Sequence, residues 1–204
     1  MREQGEDIDL QTRARFLSVV HDEARRMQRV VEDLISLSRI EAEKFTAPTE
    51  AVDLSRLIDQ ALDGVLRIAD ERRSQLVREV DCTLPAVAAD RSEILQLLDN
   101  LITNALRYGE PGTPVTVSAH LEGPMVRLTV EDQGEGIAPE HVKRVTERFY
   151  RVDTSRSRSL GGTGLGLSIV KHIVERHRGR LTIDSELGRG TAVHVLLPAV
   201  AAES

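Results

Sequence analysis

The chain has 204 residues, 40% of them apolar with 14 glycines besides, enough for a sizeable core in one domain, or one domain with an attached element. With no Trp, two Tyr, three Phe and a net charge of −6, it disfavours base-stacking nucleic-acid modules and non-specific attraction to phosphate backbones or anionic lipid. Cys82 is the sole cysteine, which excludes a disulfide framework and a cysteine-built zinc site, and no apolar run approaches the ~20 residues of a membrane span.

The opening, MREQGEDIDL, carries no signal-peptide pattern. Residues 12–45 predict one long helix. Leu17, Val20, Ala24, Met27, Val31 and Leu34 recur at alternating spacings of three and four, a heptad seam that Ser38 and Glu41 continue weakly. Val30, Leu37 and Ile40 widen the apolar face, which suits a helical bundle better than a two-stranded coil. Arg25, Arg26, Arg29, Glu32 and Asp33 between them read as a solvated face. Ala47-Pro48-Thr49 ends the helix, because a residue before proline avoids the α region.

A second helix starts at an Asp53 N-cap and turns Leu54, Ile58, Ala61, Leu62 and Val65 inward. Residues 75–80 alternate as a strand. Asp90 caps a third helix bearing Ile94, Leu97, Leu98, Leu101 and Ile102. Strands over 114–120 and 125–131 flank a turn at Glu122-Gly123-Pro124. Residues 138–162 are charged, Ser- and Gly-rich and weakly periodic, so they read as a long functional loop. A helix over about 163–178 and strands near 180–185 and 191–197 follow. This order fits an α+β fold with helices and a mixed sheet in two layers.

Three constellations carry chemistry. Asp132-Gln133-Gly134-Glu135-Gly136-Ile137 follows an apolar strand; its carboxylate can accept from an exocyclic amine, and its glycines let backbone approach a flat ring. Gly161-Gly162-Thr163-Gly164-Leu165-Gly166 opens an apolar helix, where free N–H groups and the positive dipole end suit phosphate. It lacks the Gly-Lys-Ser/Thr ending of a Walker A loop and the strand that precedes a dinucleotide fingerprint. Asn100 and Asn104 stand four apart, so their amides share one helical face, and an amide oxygen suits Mg²⁺. Alone, each constellation has an ordinary explanation: a turn, a hinge, two solvated amides.

In this order, with Glu147-Arg148-Phe149-Tyr150-Arg151 between the second and third and Gly188-Arg189-Gly190-Thr191 near the end, the chain resembles the ATP-binding catalytic domain of sensor histidine kinases. The matches are to its N box (residues 100–108), G1 box (132–137), F box (Phe149), G2 box (162–166) and the final Gly190-Thr191. Residues 12–45, with Glu23-Ala24-Arg25-Arg26-Met27 and Leu34-Ile35-Ser36-Leu37-Ser38-Arg39-Ile40-Glu41, resemble the second helix of the family's dimerisation and phosphotransfer hairpin, closest in flavour to phosphate-regulon sensors.

The resemblance implies the two-layer α/β sandwich shared by histidine kinases, gyrase and chaperone ATPases, preceded by a bundle-forming helix. It divides the chain into a partial hairpin at 1–47 and a catalytic domain at 48–204. It implies ATP and Mg²⁺ as cofactors. Asp132 is expected to accept from the adenine amine, with Gly134, Gly136 and Ile137 shaping that pocket. Asn104 is expected to hold Mg²⁺, helped by Asn100, with Arg107 and Tyr108 beside the nucleotide. Residues 138–162 become an ATP lid. Gly162, Thr163, Gly164, Leu165, Gly166 and Thr191 join the nucleotide site, and Arg148, Arg151 and Arg156 are available to the transferring phosphoryl group.

The family's acceptor histidine lies in a His-Glu/Asp-x-Arg/Lys-Thr/Asn-Pro segment that this sequence lacks. His21 has no following proline and lies in the second-helix match. The expected activity is therefore ATP-to-histidine phosphotransfer to a histidine outside this chain, as the core of a two-component system. A response regulator and a dimer partner through helix 12–45 are the implied partners. The implied location is cytoplasmic, with inner-membrane anchoring of the parent protein left open. A serine-directed kinase of the same superfamily and a nucleotide-binding interaction module are the alternatives. His120, His141, His172, His177 and His194 have no metal-like spacing and read as structural or exposed. The face through Leu17, Val20, Met27 and Leu34 lacks a mate, which predicts self-association or a frayed placement of residues 1–47.

Overall fold

A computed structural model describes residues 10–43, 45–152 and 162–200. Helix α1 (Leu10–Ala42) leads into a two-residue strand β1 (Ala51–Val52) and helix α2 (Leu54–Arg72). Asp53 caps α2 by accepting the Arg56 N–H at 3.2 Å, and the helix stops where Arg73 turns left-handed at φ 56°. Then come β2 (Leu76–Val80), β3 (Val87–Ala88) and helix α3 (Arg91–Tyr108). The Asp90 carboxylate takes the N–H groups of Ser92 and Glu93, which starts α3 where the sequence predicts.

Strands β4 (Val115–Glu122) and β5 (Met125–Asp132) form the predicted hairpin. A four-residue helix α4 (Pro139–Val142), helix α5 (Gly166–Arg176) and strands β6 (Arg180–Glu186) and β7 (Gly190–Pro198) complete the described chain. The main sheet runs β2-β4-β5-β7-β6, antiparallel except for the parallel β2–β4 pair. One sheet face is buried: Val115, Val117 and Ala119 of β4 and Val126, Leu128 and Val130 of β5 alternate inward against α3. The opposite layer is α2, α3 and α5, packed through Leu57, Ile58, Leu98, Ile102 and Ile169. This is the two-layer α+β arrangement expected from the sequence.

Three features depart from the sequence reading. The two-residue strands β1 and β3 pair with each other and were not expected, because they are too short for a period to register. α4 lies in a stretch read as loop; part of that stretch, residues 153–161 with Arg156, lies outside the described residues. α5 starts at Gly166 rather than near 163, since Gly164 takes φ 74° and cannot be helical.

The wide apolar face of α1 is divided in two. Leu37 and Ile40 are 2% exposed, on the side of α1 that packs on α5, and burial of each stabilises that contact by about 1.5–3 kcal/mol. Leu17, Val20, Met27, Val31 and Leu34, the heptad seam, face solvent. Among the described residues no helix is long and apolar enough to cross a membrane.

Candidate functional site

Asp132 is the last residue of β5, paired in register with Thr191 of β7, and is only 8% exposed. Burial pushes its carboxyl up to about 6, against the pull of the Gly134 and Thr191 N–H groups. The Gly134 N–H reaches its Oδ1 at 2.9 Å. Two glycines are forced here by close approach. A Cβ on Gly134 would lie 2.2 Å from the Tyr108 carbonyl oxygen, and one on Gly136 (φ 68°) 2.1 Å from that of Glu186. The Ile137 N–H is held by Ser185 Oγ at 2.8 Å.

From the opposite layer, α3 presents Asn100 and Asn104 on one face, the geometry of an i, i+4 pair. The Asn100 amide donates to the Gln96 carbonyl at 2.9 Å, leaving its oxygen toward Gly166. Arg72 donates to the carbonyl oxygens of Arg107 and Gly109 and so closes the end of α3. The glycine-rich segment turns at Gly164, whose carbonyl accepts the Phe149 N–H at 2.9 Å. α5 then opens without a side-chain cap, so its first N–H groups are available to an anion.

These elements meet around a cavity of about 400 Å³, the size of a small-molecule site. Asn100, Asn104, Arg107 and Tyr108 of α3 line it, with Asp132, Gly136 and Ile137 at the β5 end. Gly162, Thr163, Gly164 and Gly166 line it from the glycine-rich turn, with Arg151 and Thr191. Leu165 and Gly134, both expected in the nucleotide site, are not in its wall. The Leu165 side chain is fully buried in the core beneath the turn, and Gly134 stands behind Asp132, pressed on Tyr108. Arg148 points away onto α1, paired with Glu41, and Phe149 is exposed with φ 61°.

The sequence reading missed α1's share of this wall. Arg29, Glu32 and Asp33, read as a solvated face, line the cavity, and Asp33 accepts from Thr163 Oγ1 at 2.9 Å. A signal was present: Asp33, Leu37 and Ile40 are spaced four and three, so the docked stripe that buries the last two carries Asp33 with it. His177 is structural, as expected. Its Nδ1–H donates to the Ile173 carbonyl at 2.7 Å and its Nε2 accepts the Asp90 N–H at 3.0 Å. Beside it, Arg176 of α5 stands 2.8 Å from both Glu93 and Glu43, tying α3 and the end of α1 to α5. The Arg176–Glu93 pair is in ion contact without hydrogen-bond alignment.

Residues 89–201 match the family of histidine kinase-, DNA gyrase B-, and HSP90-like ATPases. The sensor histidine kinase WalK of Bacillus subtilis is 38% identical over 186 residues, 90% of this chain and 30% of its own length. The sensor protein SrrB of Staphylococcus aureus is 37% identical over 182 residues, 89% of this chain and 31% of its own. The chain thus spans under a third of these curated relatives. Among solved structures, full-length ShkA in complex with AMPPNP superposes with a TM-score of 0.79 at 27% identity, over 95% of this chain and 40% of that one. The mycobacterial sensor histidine kinase MprB gives 0.62 at 32% identity, over 74% of this chain and 97% of that one. The cavity lies within the matched span but for its α1 residues, and the chain belongs to the histidine kinase-, DNA gyrase B- and HSP90-like ATPase family, on its sensor histidine kinase branch.

Proposed function

We propose that this chain binds Mg-ATP in the cavity and passes the γ-phosphoryl group to a histidine on another polypeptide. The observation that carries the reading is convergence: a buried carboxylate, two amides one helical turn apart and an uncapped helix start behind a glycine turn line one cavity. Asp132 accepts from the adenine amine, with Gly136, Ile137 and Thr191 around the ring and Gly134 fixing the carboxylate. Arg107, Tyr108 and the N–H groups of residues 162–166 take the phosphates. Arg151 is placed to stabilise charge on the transferring group.

Asn104 suits Mg²⁺. Its amide has no hydrogen-bond partner among the described residues, and Mg²⁺ accepts one or two hard protein oxygens with water and phosphate completing its shell. When bound, the ion neutralises phosphate charge. Asn100 supports Asn104 on the same face but is a neutral amide held by Gln96, a poor base for activating water. Transfer is therefore favoured over hydrolysis. In transfer, a histidine nitrogen forms a bond to Pγ as the Pγ–O bond to ADP breaks, ADP leaves with the electron pair, and the imidazole proton goes to solvent.

Residues 1–47 serve as part of a dimerisation hairpin whose seam through Leu17, Val20, Met27 and Leu34 takes a partner helix, and residues 48–204 as the catalytic domain. The receiver downstream is a response regulator, and the setting is the cytosol. The test is transfer from γ-labelled ATP to a supplied hairpin bearing the acceptor histidine. Acid-labile, base-stable label on the hairpin supports the reading; acid-stable label points instead to a serine-directed kinase.

A further inference from the structure

Asp33 is on α1, outside residues 89–201 that match the ATPase family model, yet it lines the cavity. It sits at the phosphate end as assigned above. It accepts from Thr163 Oγ1 at 2.9 Å, within the glycine-rich turn, and Asp99, next to Asn100, adds to the negative charge around it. The placement is built rather than incidental. Leu37 and Ile40, on the same stripe of α1, are buried; Ser36 donates to Gln96 of α3 at 2.7 Å; and Glu43 meets Arg176 at 2.8 Å. Burial holds the Asp33 carboxyl above the ordinary range, eased by Thr163 and Arg29.

Resting on the Mg-ATP reading, we propose that Asp33 is a specificity-determining residue of the nucleotide site, which discriminates against the triphosphate while α1 is docked. Its carboxylate takes the hydrogen bond that Thr163 would otherwise give to phosphate, and it repels the terminal phosphate electrostatically. The adenine end is assigned to Asp132 at the end of β5, and Asp33 is bonded instead to Thr163 of the glycine-rich turn. Linkage makes the effect reciprocal: a triphosphate that is weakened by docking must in turn weaken docking. Asp33 thereby couples the position of the hairpin helix to the charge of the bound nucleotide.

The test is calorimetric titration of the whole chain with Mg-ATP, Mg-ADP and adenosine, for wild type and Asp33→Asn. Asparagine keeps an acceptor for Thr163 and removes only the charge. Mg-ATP is expected to bind at least about fivefold tighter to the variant, the lower end of usual coupling. Mg-ADP should gain less, and adenosine should stay within about twofold. Glu23→Gln, an exposed charge change on the same helix, should leave all three unchanged. Mg-ATP binding that is unchanged or weaker in Asp33→Asn overturns the inference. So does an equal gain for adenosine. If Asp33→Asn does not fold, Asp33→Ser carries the same expectation. Should wild type bind neither Mg-ATP nor adenosine, the nucleotide reading itself fails, which is a distinct result.

Discussion

The side-chain oxygen of Asn100 would lie 2.7 Å from a Cβ placed on Gly166, so the amide face of α3 and the first residue of α5 are in contact across the floor of the cavity. No side chain fits between them without moving Asn100. Gly166→Ala is therefore expected to displace the amide and weaken Mg-ATP binding by about tenfold or more. Stability should hold or rise slightly, because alanine is the better helix former by up to ~1 kcal/mol. Calorimetry with a thermal melt separates the two effects; unchanged affinity would remove Asn100 from the site.

Asp132 gives a pH signature. Its folded-state carboxyl sits at about 6, above the ordinary carboxylate value, because of burial. The ionised form is the stronger acceptor for an adenine amine. Adenosine binding should therefore be strongest above pH 6 and fall as pH drops through that value; a nucleoside carries no phosphate to confuse the titration. For stability the sign is opposite. The neutral form is favoured in the fold, so its contribution is full below the unfolded value near 4 and is lost as pH rises through about 6. Asp132→Asn should flatten the binding profile, which a titration series would show directly.

The Arg176 hub can be separated from the site. Arg176 and Glu93 are each under a tenth exposed, and burial raises the Glu93 carboxyl against the pull of Arg176. Arg176→Met strands Glu93 without its cation, and is expected to cost about 3–5 kcal/mol. Adding Glu93→Gln should recover much of that. Chemical denaturation of the single and double variants measures the coupling; additive losses would mean the pair does not act as a unit.

The exposed seam of α1 predicts self-association. Leu17, Val20 and Met27 are each more than half exposed, along one heptad stripe. Sedimentation of wild type should show dimers that Val20→Glu with Met27→Glu returns to monomers. A wild-type chain that is monomeric at all concentrations would contradict the seam's assignment.

What was legible in the sequence follows from physical range. Caps announce themselves locally, so Asp53 and Asp90 marked α2 and α3 at once. Alternating apolar residues revealed β4 and β5, with Asp132 expected just past the end of β5 and found as its last residue. The glycines at 134, 136, 164 and 166 stood out because close backbone contact tolerates nothing larger. Three things were not legible. Two-residue strands β1 and β3 have no period. Leu165 looks like part of a phosphate loop, but its side chain goes to the core. Asp33 shares a stripe with Leu37 and Ile40, but the fold-back of α1 that carries this stripe to the cavity, across 130 residues of sequence, is a contact that no local pattern encodes.

The most direct measurement is a calorimetric titration of Mg-ATP into wild type, Asp132→Asn and Asn104→Ala. Wild type should bind one nucleotide per chain. Asp132→Asn should lose at least tenfold, because it replaces an acceptor-only group by an amide that can present a donor to the adenine amine, and a hydrogen bond to a charged group is worth ~1.5–3 kcal/mol. Asn104→Ala should lose affinity in the presence of Mg²⁺ and much less in its absence. Equal binding by all three proteins would contradict the account, since the nucleotide would then be held by something other than the cavity these residues line.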